Sequence, residues 1–368
     1  MRNTHVTIDL SALAHNLHIA KQHAPNAKLM AMVKANAYGH GASECLPALQ
    51  SADALGVACL AEAKTLQQAG WKKPIILLEG AFSLDEWQYC LTNGLQCVVH
   101  HAEQLDWALQ HPAKQPSNTP IWLKLNTGMN RLGFGEAEIL PIAKQLSAIG
   151  YPLILTSHFA NADIKNHPQN QQQIHCFERI LSELKQQVSP KVEGSLCNSA
   201  GIVNFTEHQH DWVRAGIMLY GATPIGNKSA EQLNLRAVMR FGASIMAVHE
   251  LDKGDCVGYG SRWQATEPCQ IGIVSVGYAD GYPRVINDNA YVVATLNEKT
   301  VRLPIIGRVA MDMLMVAIPA NTDVTLHTSI QLWGDKLPID HVADWNATIS
   351  YELLCLVTKR PTWRYTFD

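Results

Sequence analysis

Short apolar runs alternate with amphipathic stretches through most of the first 220 residues. The apolar runs have the length of buried strands, and they predict strands at 29–33, 74–78, 96–99, 121–125, 153–157 and 217–219. The stretches between them repeat apolar residues at helical spacing, and they predict helices at 61–69, 84–92, 102–109, 136–149 and 169–187. Near-continuous apolar strands that alternate with helices indicate a parallel sheet covered by helices.

This α/β alternation favours a closed, TIM-like barrel. Roughly eight strand–helix units fit into about 230 residues, which is the usual content of a (β/α)8 barrel. An open, doubly wound sheet has the same alternation, and the pattern alone leaves that alternative open. We expect the barrel to occupy residues 11–230.

The pattern changes after residue 232. Short strands are predicted at 238–248, 270–276, 290–296 and 301–306, with Gly, Pro, Asn and Asp between them. The polar, turn-prone segment 226–233 marks the boundary between the two patterns. We therefore expect a mostly-β domain at residues 231–368, and we expect residues 1–10 to form a strand that packs with it.

The composition is that of a cytosolic globular enzyme, with 47% apolar and 17% charged residues among 368. The net charge of -3 gives no reason to expect a nucleic acid or an anionic membrane as partner. Nine scattered cysteines without a C-x-x-C pair favour a reducing compartment over a disulfide framework. The N-terminus lacks the apolar core of a signal peptide, and no run approaches the roughly 18–20 apolar residues of a membrane helix. We expect a soluble, cytoplasmic protein.

Metal binding has little support in the sequence. The chain has 16 histidines but no H-E-x-x-H motif and no paired spacing of Cys and His. The tract from His208 to His210 is typical of a solvated loop. No bound metal is expected.

Lys34 follows the apolar strand at 29–33, at the end of a barrel strand where active residues are expected. A lysine there loses hydration, its ammonium form is disfavoured, and its amine becomes a nucleophile able to form a Schiff base. Small residues after it leave room for a bulky group, and Tyr38 supplies a rigid hydroxyl. Taken alone, the same pattern also fits a lysine that snorkels at a strand end.

Three further basic residues lie near the ends of predicted strands. Lys124 and Arg131 lie in strand 121–125 and on the loop after it, and His158 follows strand 153–157. The planar fork of an arginine in that position suits a carboxylate or a phenolate. Without context, a surface arginine and a core histidine are the commoner interpretations.

A phosphate site is predicted where the late barrel strands end. The Ser199 hydroxyl and the backbone N–H groups of Gly216 and Ile217 could together hold a phosphate dianion. Gly216 has no side chain, so the backbone can approach a ligand closely there. On its own, the tripeptide Asn-Ser-Ala is a weak motif.

Residues 31–41 read Ala-Met-Val-Lys-Ala-Asn-Ala-Tyr-Gly-His-Gly, which resembles the pyridoxal phosphate signature A-V-V-K-A-N-A-Y-G-H-G of alanine racemases. Other segments resemble the same family in order and spacing: K-L-N-T-G-M-N-R-L-G at 124–133, H-F-A-N-A-D at 158–163, G-Y-A-D-G at 277–281 and G-R-V-A-M-D at 307–312. Asn126 departs from the commoner Asp of the family. The resemblance runs from Ile8 to Pro361, and on it the chain is identified as a member of this pyridoxal phosphate-dependent, fold-type III family.

The resemblance implies a role for each motif. Lys34 and Tyr259 correspond to the two catalytic bases, and Tyr259 would reach the active site of the other subunit of a homodimer. The residues implied to bind pyridoxal 5'-phosphate are Lys34, Tyr38, His158, Ser199, Arg214, Gly216, Ile217 and Tyr351. Arg131 and the backbone of Met311 would bind the substrate carboxylate, and Lys124 would be carbamylated.

Arg214 is implied to face the pyridine nitrogen of the cofactor. An arginine does not give up its proton at working pH, so the ring nitrogen would stay largely unprotonated. The cofactor then becomes a poorer electron sink, which should suppress transamination and favour simple proton exchange.

The implied activity is the two-base interconversion of L-alanine and D-alanine by an isomerase, which supplies D-alanine for peptidoglycan or catabolises it. A racemase needs a base on each face of Cα, and Lys34 and Tyr259 would be that pair. A phenol is a weak base at neutral pH, so we expect nearby cations, Arg131 or His158, to favour its ionised form.

Four alternatives stay open on the sequence. A broader-specificity amino-acid racemase would share these motifs. A fold-type III decarboxylase usually carries three consecutive glycines at its phosphate, and this chain has none. A non-catalytic carrier of the cofactor is typically a bare barrel without the β region. A sugar-binding or scaffold barrel with an accidental lysine would bind no pyridoxal phosphate.

Overall fold

The computed structural model describes residues 3–111 and 119–367, and strands alternate with helices in its first part. The strands there are β1 (His5–Asp9), β2 (Lys28–Met32), β3 (Ala54–Val57), β4 (Ile75–Leu77), β5 (Gln96–Val99), β6 (Ile121–Lys124), β7 (Leu153–Thr156), β8 (Glu193–Ser195) and β9 (Trp212–Ala215). The helices are α1 (Leu10–His23), α2 (Lys34–Tyr38), α3 (Ala42–Cys45), α4 (Leu60–Gln68), α5 (Leu84–Thr92), α6 (Ala102–Gln110), α7 (Glu136–Ala148), α8 (Pro168–Gln187) and α9 (Ser199–Asn204).

Strands β2 to β9 form one parallel sheet in the order β8-β7-β6-β5-β4-β3-β2-β9. The sheet closes between β8 and β9, because the Asp211 N–H donates to the Gly194 carbonyl at 3.1 Å and the Arg214 N–H donates to the Cys197 carbonyl at 2.9 Å. Every residue of β3, β5 and β7 is buried, as expected for strands covered on both faces. The predicted barrel is confirmed, and the open sheet is excluded.

One predicted strand is wrong. Residues 217–219 lie in a short 3-10 helix, Ile217–Tyr220, and the last barrel strand is β9, which precedes it. The sequence of β9 is Trp-Val-Arg-Ala, and the charged Arg214 hides it from a search for apolar runs. The polar strand β8, Glu-Gly-Ser, escapes the same search for the same reason.

The second part of the chain is built on an antiparallel sheet. Its strands are β10 (Met239–Leu251), β11 (Cys256–Val257), β12 (Trp263–Gln264), β13 (Cys269–Val274), β14 (Tyr291–Leu296), β15 (Lys299–Ile306), β16 (Leu314–Ile318), β17 (Ser329–Trp333) and β18 (Thr362–Thr366). Two helices, α10 (Ile339–Trp345) and α11 (Ser350–Leu356), lie between β17 and β18. The sheet order is β13-β16-β15-β14-β17-β10-β1-β18, so the first strand of the chain lies in this second sheet. Strand β1 pairs antiparallel with β10 and parallel with β18.

Strands β11 and β12 form a separate hairpin that presents Tyr259. Gly258 and Gly260 flank the tyrosine with φ angles of +71° and +72°, a conformation that favours glycine. A Cβ on Gly258 would lie 2.8 Å from the Met315 Cε, so the flexible end of Met315 would have to move to admit it. The Tyr259 side chain is left 74% exposed.

None of the helices within residues 3–111 and 119–367 combines the length and apolar character that crossing a bilayer requires. The nine cysteines all lie in the described residues as free thiols. In the same part of the chain, no group of three or more His, Cys, Asp or Glu side chains is placed to hold a metal ion.

Candidate active site

A cavity of about 520 Å³ lies at the carboxyl ends of the barrel strands. It brings together most of the residues that the sequence singled out: Lys34, Tyr38, Lys124, Arg131, His158, Ser199, Arg214, Gly216 and Tyr351. Ile217 follows Gly216 with its side chain fully buried. A cavity in which polar side chains converge at this end of a barrel is the expected place for chemistry.

Lys34 begins an unusual turn of backbone. The next four residues, Ala35 to Tyr38, have φ angles between +51° and +56°. They form one left-handed turn, closed by hydrogen bonds from the Ala37 N–H to the Val33 carbonyl at 2.8 Å and from the Gly39 N–H to the Ala35 carbonyl at 2.9 Å. Left-handed helix costs L-residues roughly 1–2 kcal/mol each, so contacts outside the turn must hold it.

His40 and Asn36 supply two of those contacts. The buried His40 ring donates from Nδ1 to the carbonyls of Ala37 and Tyr38, each at 3.0 Å, and it lies 4.6 Å from the Tyr220 ring. The Asn36 Oδ1 accepts from the Ala42 N–H at 2.9 Å. Burial lowers the pKa of His40 to about 4, so the ring stays neutral at physiological pH.

Tyr38, Ser199 and Gly216 converge on one corner of the cavity. The Gly216 N–H donates to the Ser199 Oγ at 2.7 Å. A Cβ built on Gly216 would lie 2.8 Å from the Tyr38 hydroxyl and 3.7 Å from the Ser199 Oγ. The Tyr351 ring lies 5.8 Å from the Tyr38 ring, and burial raises the pKa of Tyr351 to about 12. Burial also raises the pKa of Tyr38, so both phenols keep their protons as donors.

Arg214 is buried in the barrel with its guanidinium held by backbone and hydroxyl acceptors. Nη1 donates to the Ser195 carbonyl at 2.9 Å and to the Ser195 Oγ at 2.7 Å, with a longer contact to the Thr156 Oγ1 at 3.3 Å. Nη2 donates to the carbonyls of Ser157 at 2.6 Å and Leu196 at 3.1 Å. Burial lowers the pKa of Arg214 to about 10, which still leaves it charged at neutral pH.

The walls of the cavity carry several basic groups, and the acidic residue Glu79 also lines it. Burial, with Arg214 and Arg131 nearby, holds the pKa of Lys124 well below its usual range. Burial and the same cations hold the pKa of His158 well below its usual range. Within residues 3–111 and 119–367, the ion pairs with Asp or Glu include none to Lys124, Arg131 or Arg214. The site therefore favours anions and disfavours the charged forms of Lys124 and His158.

Asn126 organises the loop that carries Arg131. Its Oδ1 accepts from the N–H groups of Gly128 at 3.0 Å and Asn130 at 3.1 Å, and its Nδ2 donates to the Asn130 Oδ1 at 3.0 Å. Both the oxygen and the nitrogen of the Asn126 side-chain amide therefore form hydrogen bonds within the loop. Asn in place of the commoner Asp leaves this turn intact and adds a donor to it.

Gln173, on α8, links two loops of the site and was missed from the sequence. The side chain is fully buried. Its Nε2 donates to the Thr127 Oγ1 and to the His158 carbonyl, each at 2.9 Å, while its Oε1 accepts from the Ala160 N–H at 2.9 Å. A glutamine on the inner face of a predicted helix is the signal that would have pointed to it.

Tyr259 and Met311 are not part of the cavity of their own chain. They line a second groove of about 460 Å³ with Gly258, Ala310, Asp312, Met313 and Met315. Tyr259 is 74% exposed and Met311 is 53% exposed. The structure therefore brings Tyr259 close to Met311 and keeps both apart from Lys34.

Comparisons with known proteins agree over nearly the whole chain. Residues 8–224 match the family model "Alanine racemase, N-terminal domain", and residues 238–365 match "Alanine racemase, C-terminal domain". A curated alanine racemase of Psychrobacter sp. (strain PRwf-1) is 48% identical, covering 98% of this chain and 99% of the relative. A biosynthetic alanine racemase of Pseudomonas aeruginosa is 40% identical over the full length of both chains.

Solved structures agree as well. The alanine racemase of Acinetobacter baumannii superposes with a TM-score of 0.94 at 44% identity, over all of both chains. The alanine racemase of Bartonella henselae with covalently bound pyridoxal phosphate superposes with a TM-score of 0.87 at 28% identity, also over all of both chains.

Proposed function

The chain belongs to the alanine racemase family of pyridoxal phosphate-dependent isomerases, and we propose that Lys34 and the Tyr259 of a second copy are its two proton-transferring residues. The activity is the interconversion of L-alanine and D-alanine. The proposal rests on one observation: Lys34 lies in the barrel cavity, whereas the exposed Tyr259 lies in another groove of the same chain.

The cavity fits the cofactor at its phosphate end. Tyr38, Ser199 and the backbone of Gly216 and Ile217 enclose a cradle that a single Cβ would fill, and hydroxyl and N–H donors suit a phosphate dianion. Tyr351 lies beside this cradle and would close over it. Lys34 opens into the same cavity and would hold the aldehyde carbon.

Pyridoxal phosphate supplies an aldehyde that links to amines and a conjugated ring that stabilises negative charge at Cα. Arg214, a donor fixed by its acceptors, would face the ring nitrogen and keep that nitrogen an acceptor. His158, neutral and bonded to Arg214, would pack beside the ring.

Two bases on opposite faces of Cα explain inversion. The Tyr259 phenolate would take the Cα proton of L-alanine on one face, and the Lys34 ammonium would return a proton to the other face. The roles reverse for D-alanine. Arg131 and the N–H of the second copy's Met311 would bind the substrate carboxylate and fix which face each base meets.

The surroundings of Lys124 favour carbamylation of its amine. Its pKa is lowered, so its amine is available to attack CO2, with the nitrogen losing a proton as the new N–C bond forms. The resulting carbamate would place negative charge among Arg131 and its neighbours, which form no ion pair with a carboxylate among the described residues. Isotope-labelled bicarbonate should give a carbamate signal that is absent from Lys124→Ala.

The proposed assembly is a homodimer in which each copy contributes to both sites. Tyr259, Met311, Met313 and Tyr278 are exposed although they are large and apolar, which is typical of a surface that another chain covers. The free thiols of all nine cysteines support a reducing, cytoplasmic location. There the enzyme would supply D-alanine for peptidoglycan or catabolise it.

Mixing two inactive variants tests the shared site. Lys34→Ala should lose cofactor binding through its amine and racemisation together, and Tyr259→Phe should lose racemisation alone. Subunit exchange between them should restore about a quarter of the wild-type activity, because half of the random dimers are mixed and each has one intact site. No recovery after confirmed exchange would show that Lys34 and Tyr259 act within one chain.

The breadth of the reaction needs a separate assay. The alternative is a broader-specificity amino-acid racemase, since Arg131 and Met311 would bind the carboxylate of any amino acid. A panel of D- and L-amino acids, assayed with and without added pyridoxal phosphate, should give turnover of alanine well above that of serine. Comparable turnover of several amino acids would favour the alternative.

A further inference from the structure

A carboxylate from a neighbouring barrel segment holds the peptide bond that follows Lys34. Glu62 lies in the first turn of α4. Its Oε1 accepts from the Ala35 N–H at 2.7 Å, and its Oε2 accepts from the Ala58 N–H at 2.8 Å. Ala35 directly follows Lys34, and Ala58 directly follows β3. One carboxylate therefore ties together the chain leaving two adjacent strands, β2 and β3.

The bond to Ala35 lies at the start of the left-handed turn. Ala35 is the first of the four residues with positive φ, and Glu62 supplies the acceptor for its N–H. At the other end of the turn, His40 donates to the carbonyls of Ala37 and Tyr38. The two residues thus hold an unfavourable conformation from both ends, as a charged acceptor and a buried donor can.

Glu62 acts through the backbone rather than on substrate. Both of its carboxylate oxygens are engaged by N–H groups, and its side chain is not part of the cavity lining. The turn that it fixes carries Lys34 at its beginning and Tyr38 at its end. The direction of the Lys34 amine and the position of the Tyr38 hydroxyl therefore depend on this carboxylate.

We propose that Glu62 is the positioning residue of Lys34, which holds the left-handed turn so that the amine and the Tyr38 hydroxyl meet the cofactor together. Glu62 takes this role only if Lys34 carries the cofactor, as proposed above. It adds to the site a residue that touches neither cofactor nor alanine.

Two other barrel units have one of the two hydrogen bonds of Glu62, the contact with the residue four positions earlier. The Phe82 N–H donates to the Glu86 Oε2 at 2.9 Å, and the His100 N–H donates to the Gln104 Oε1 at 3.0 Å. Each repeats the four-residue spacing of the Ala58–Glu62 bond at the start of a barrel helix. Glu62 differs by its second bond, to the residue after Lys34. Glu86 is therefore a matched control for the local helix contact.

The test compares Glu62→Ala and Glu62→Met with Glu86→Ala in the purified holoenzyme. Methionine keeps the unbranched length and the helical preference of glutamate but accepts neither hydrogen bond. Both Glu62 variants should raise the Kd of pyridoxal phosphate about tenfold and lower kcat about tenfold, while KM for alanine changes less than about threefold. Glu86→Ala should change each quantity less than about twofold.

Amide hydrogen exchange provides a readout independent of turnover. The amides of residues 35–38 should exchange about tenfold faster in either Glu62 variant than in wild type, and they should keep the wild-type rate in Glu86→Ala. The absorbance of the lysine-bound cofactor should titrate at a shifted pH in the Glu62 variants only, since the amine then lies in a changed environment.

The outcomes separate this proposal from the role of Lys34. If Lys34→Ala still racemises alanine, the proposed function fails whatever Glu62 does. If Lys34→Ala is inactive while Glu62→Met keeps the wild-type exchange rates, Kd and kcat, only the positioning role is overturned. Equal losses in Glu86→Ala would likewise overturn it, because a helix contact alone would then suffice. If Glu62→Ala does not fold, Glu62→Met decides the comparison.

Discussion

The Arg214 Nη2 donates a hydrogen bond to the Nδ1 of His158 at 3.2 Å. A guanidinium carries only donors, so this contact requires His158 Nδ1 to be an unprotonated acceptor. The neutral ring then carries its proton on Nε2. Burial and the neighbouring cations lower the pKa of His158, which favours the same neutral ring. Arg214 therefore sets the tautomer of His158 while remaining charged itself, and two basic residues coexist at the base of the cavity.

Arg214→Lys should separate the charge of this residue from its shape. A lysine keeps the positive charge, but its three donors cannot reproduce the fork that reaches Ser195, Ser157 and Leu196 together. Carbonyls left without donors should lower the free energy of unfolding by about 1–3 kcal/mol. Because the contact to His158 is lost as well, kcat should fall on the order of tenfold to a hundredfold.

Urea unfolding and steady-state kinetics measure the two effects of Arg214→Lys. Arg179→Lys is the control, since Arg179 pairs with Glu136 on the exposed surface and should change stability by less than about 0.5 kcal/mol. Wild-type kcat in Arg214→Lys would show that charge alone is sufficient at this position.

Gly216→Ala should weaken cofactor binding. The new Cβ would lie 2.8 Å from the Tyr38 hydroxyl, inside the proposed phosphate cradle. Tyr38 cannot easily retreat, because its ring packs 4.8 Å from Tyr220 and 5.8 Å from Tyr351. The Kd of pyridoxal phosphate should therefore rise about tenfold or more. Equilibrium titration of the cofactor-free protein measures it.

Gly226→Ala is the matched control for Gly216→Ala. No atom lies within 4 Å of a Cβ built on Gly226, so this variant should bind the cofactor as wild type does. An unchanged Kd in Gly216→Ala would place the phosphate elsewhere in the cavity.

The barrel fold and the site residues at the ends of its strands could be predicted from the sequence, because both depend on local pattern. Strand β5 has the predicted bounds, 96–99, since the three apolar residues that follow Gln96 are typical of a buried parallel strand. The strand-end positions of Lys34, Lys124 and His158 followed from the same alternation. The roles of Tyr259 and Met311 rested on family resemblance, because nothing local marks a residue that acts in another chain.

What the sequence could not predict depends on contacts between distant segments. Strand β9 contains Arg214, and such a buried charge is tolerated only because the acceptors come from Ser157, Ser195 and Leu196 on other segments. The left-handed turn after Lys34 runs against the preference of residues that carry a Cβ. Its support from Glu62 spans 27 residues, which no local pattern shows.

Gln173→Leu should cost both stability and activity. Leucine fills a similar volume but leaves the His158 carbonyl and the Ala160 N–H without the partner that Gln173 provides in a buried setting. The Thr127 hydroxyl loses one of its two contacts and keeps the one to the Ser157 hydroxyl. The free energy of unfolding should fall by about 2–4 kcal/mol. Because the loops before Arg131 and after His158 are then less fixed, kcat should fall more than KM rises.

Gln186→Leu on the same helix controls for the loss of a glutamine. Gln186 is exposed and hydrogen-bonds to Ser182 one turn earlier in the helix, so its replacement should change stability by less than about 0.5 kcal/mol. Equal effects of the two substitutions would show that the links made by Gln173 carry no particular weight.

His40 should make the stability of the protein depend on pH in the acid range. Its pKa is about 4 in the folded chain against 6.5 when exposed, so between these values the unfolded state binds a proton that the folded state does not. The stability that neutral His40 contributes is complete above pH 6.5 and is lost as the pH falls toward about 4. Over this window the loss amounts to roughly 3 kcal/mol.

His40→Asn removes the titration but keeps a side-chain donor for the carbonyls of Ala37 and Tyr38, so its free energy of unfolding should fall less steeply as the pH is lowered. Urea unfolding at a series of pH values measures the slope, with His18→Asn on the exposed face of α1 as control. Parallel curves for wild type and His40→Asn would mean that His40 takes up its proton without unfolding the turn that presents Lys34.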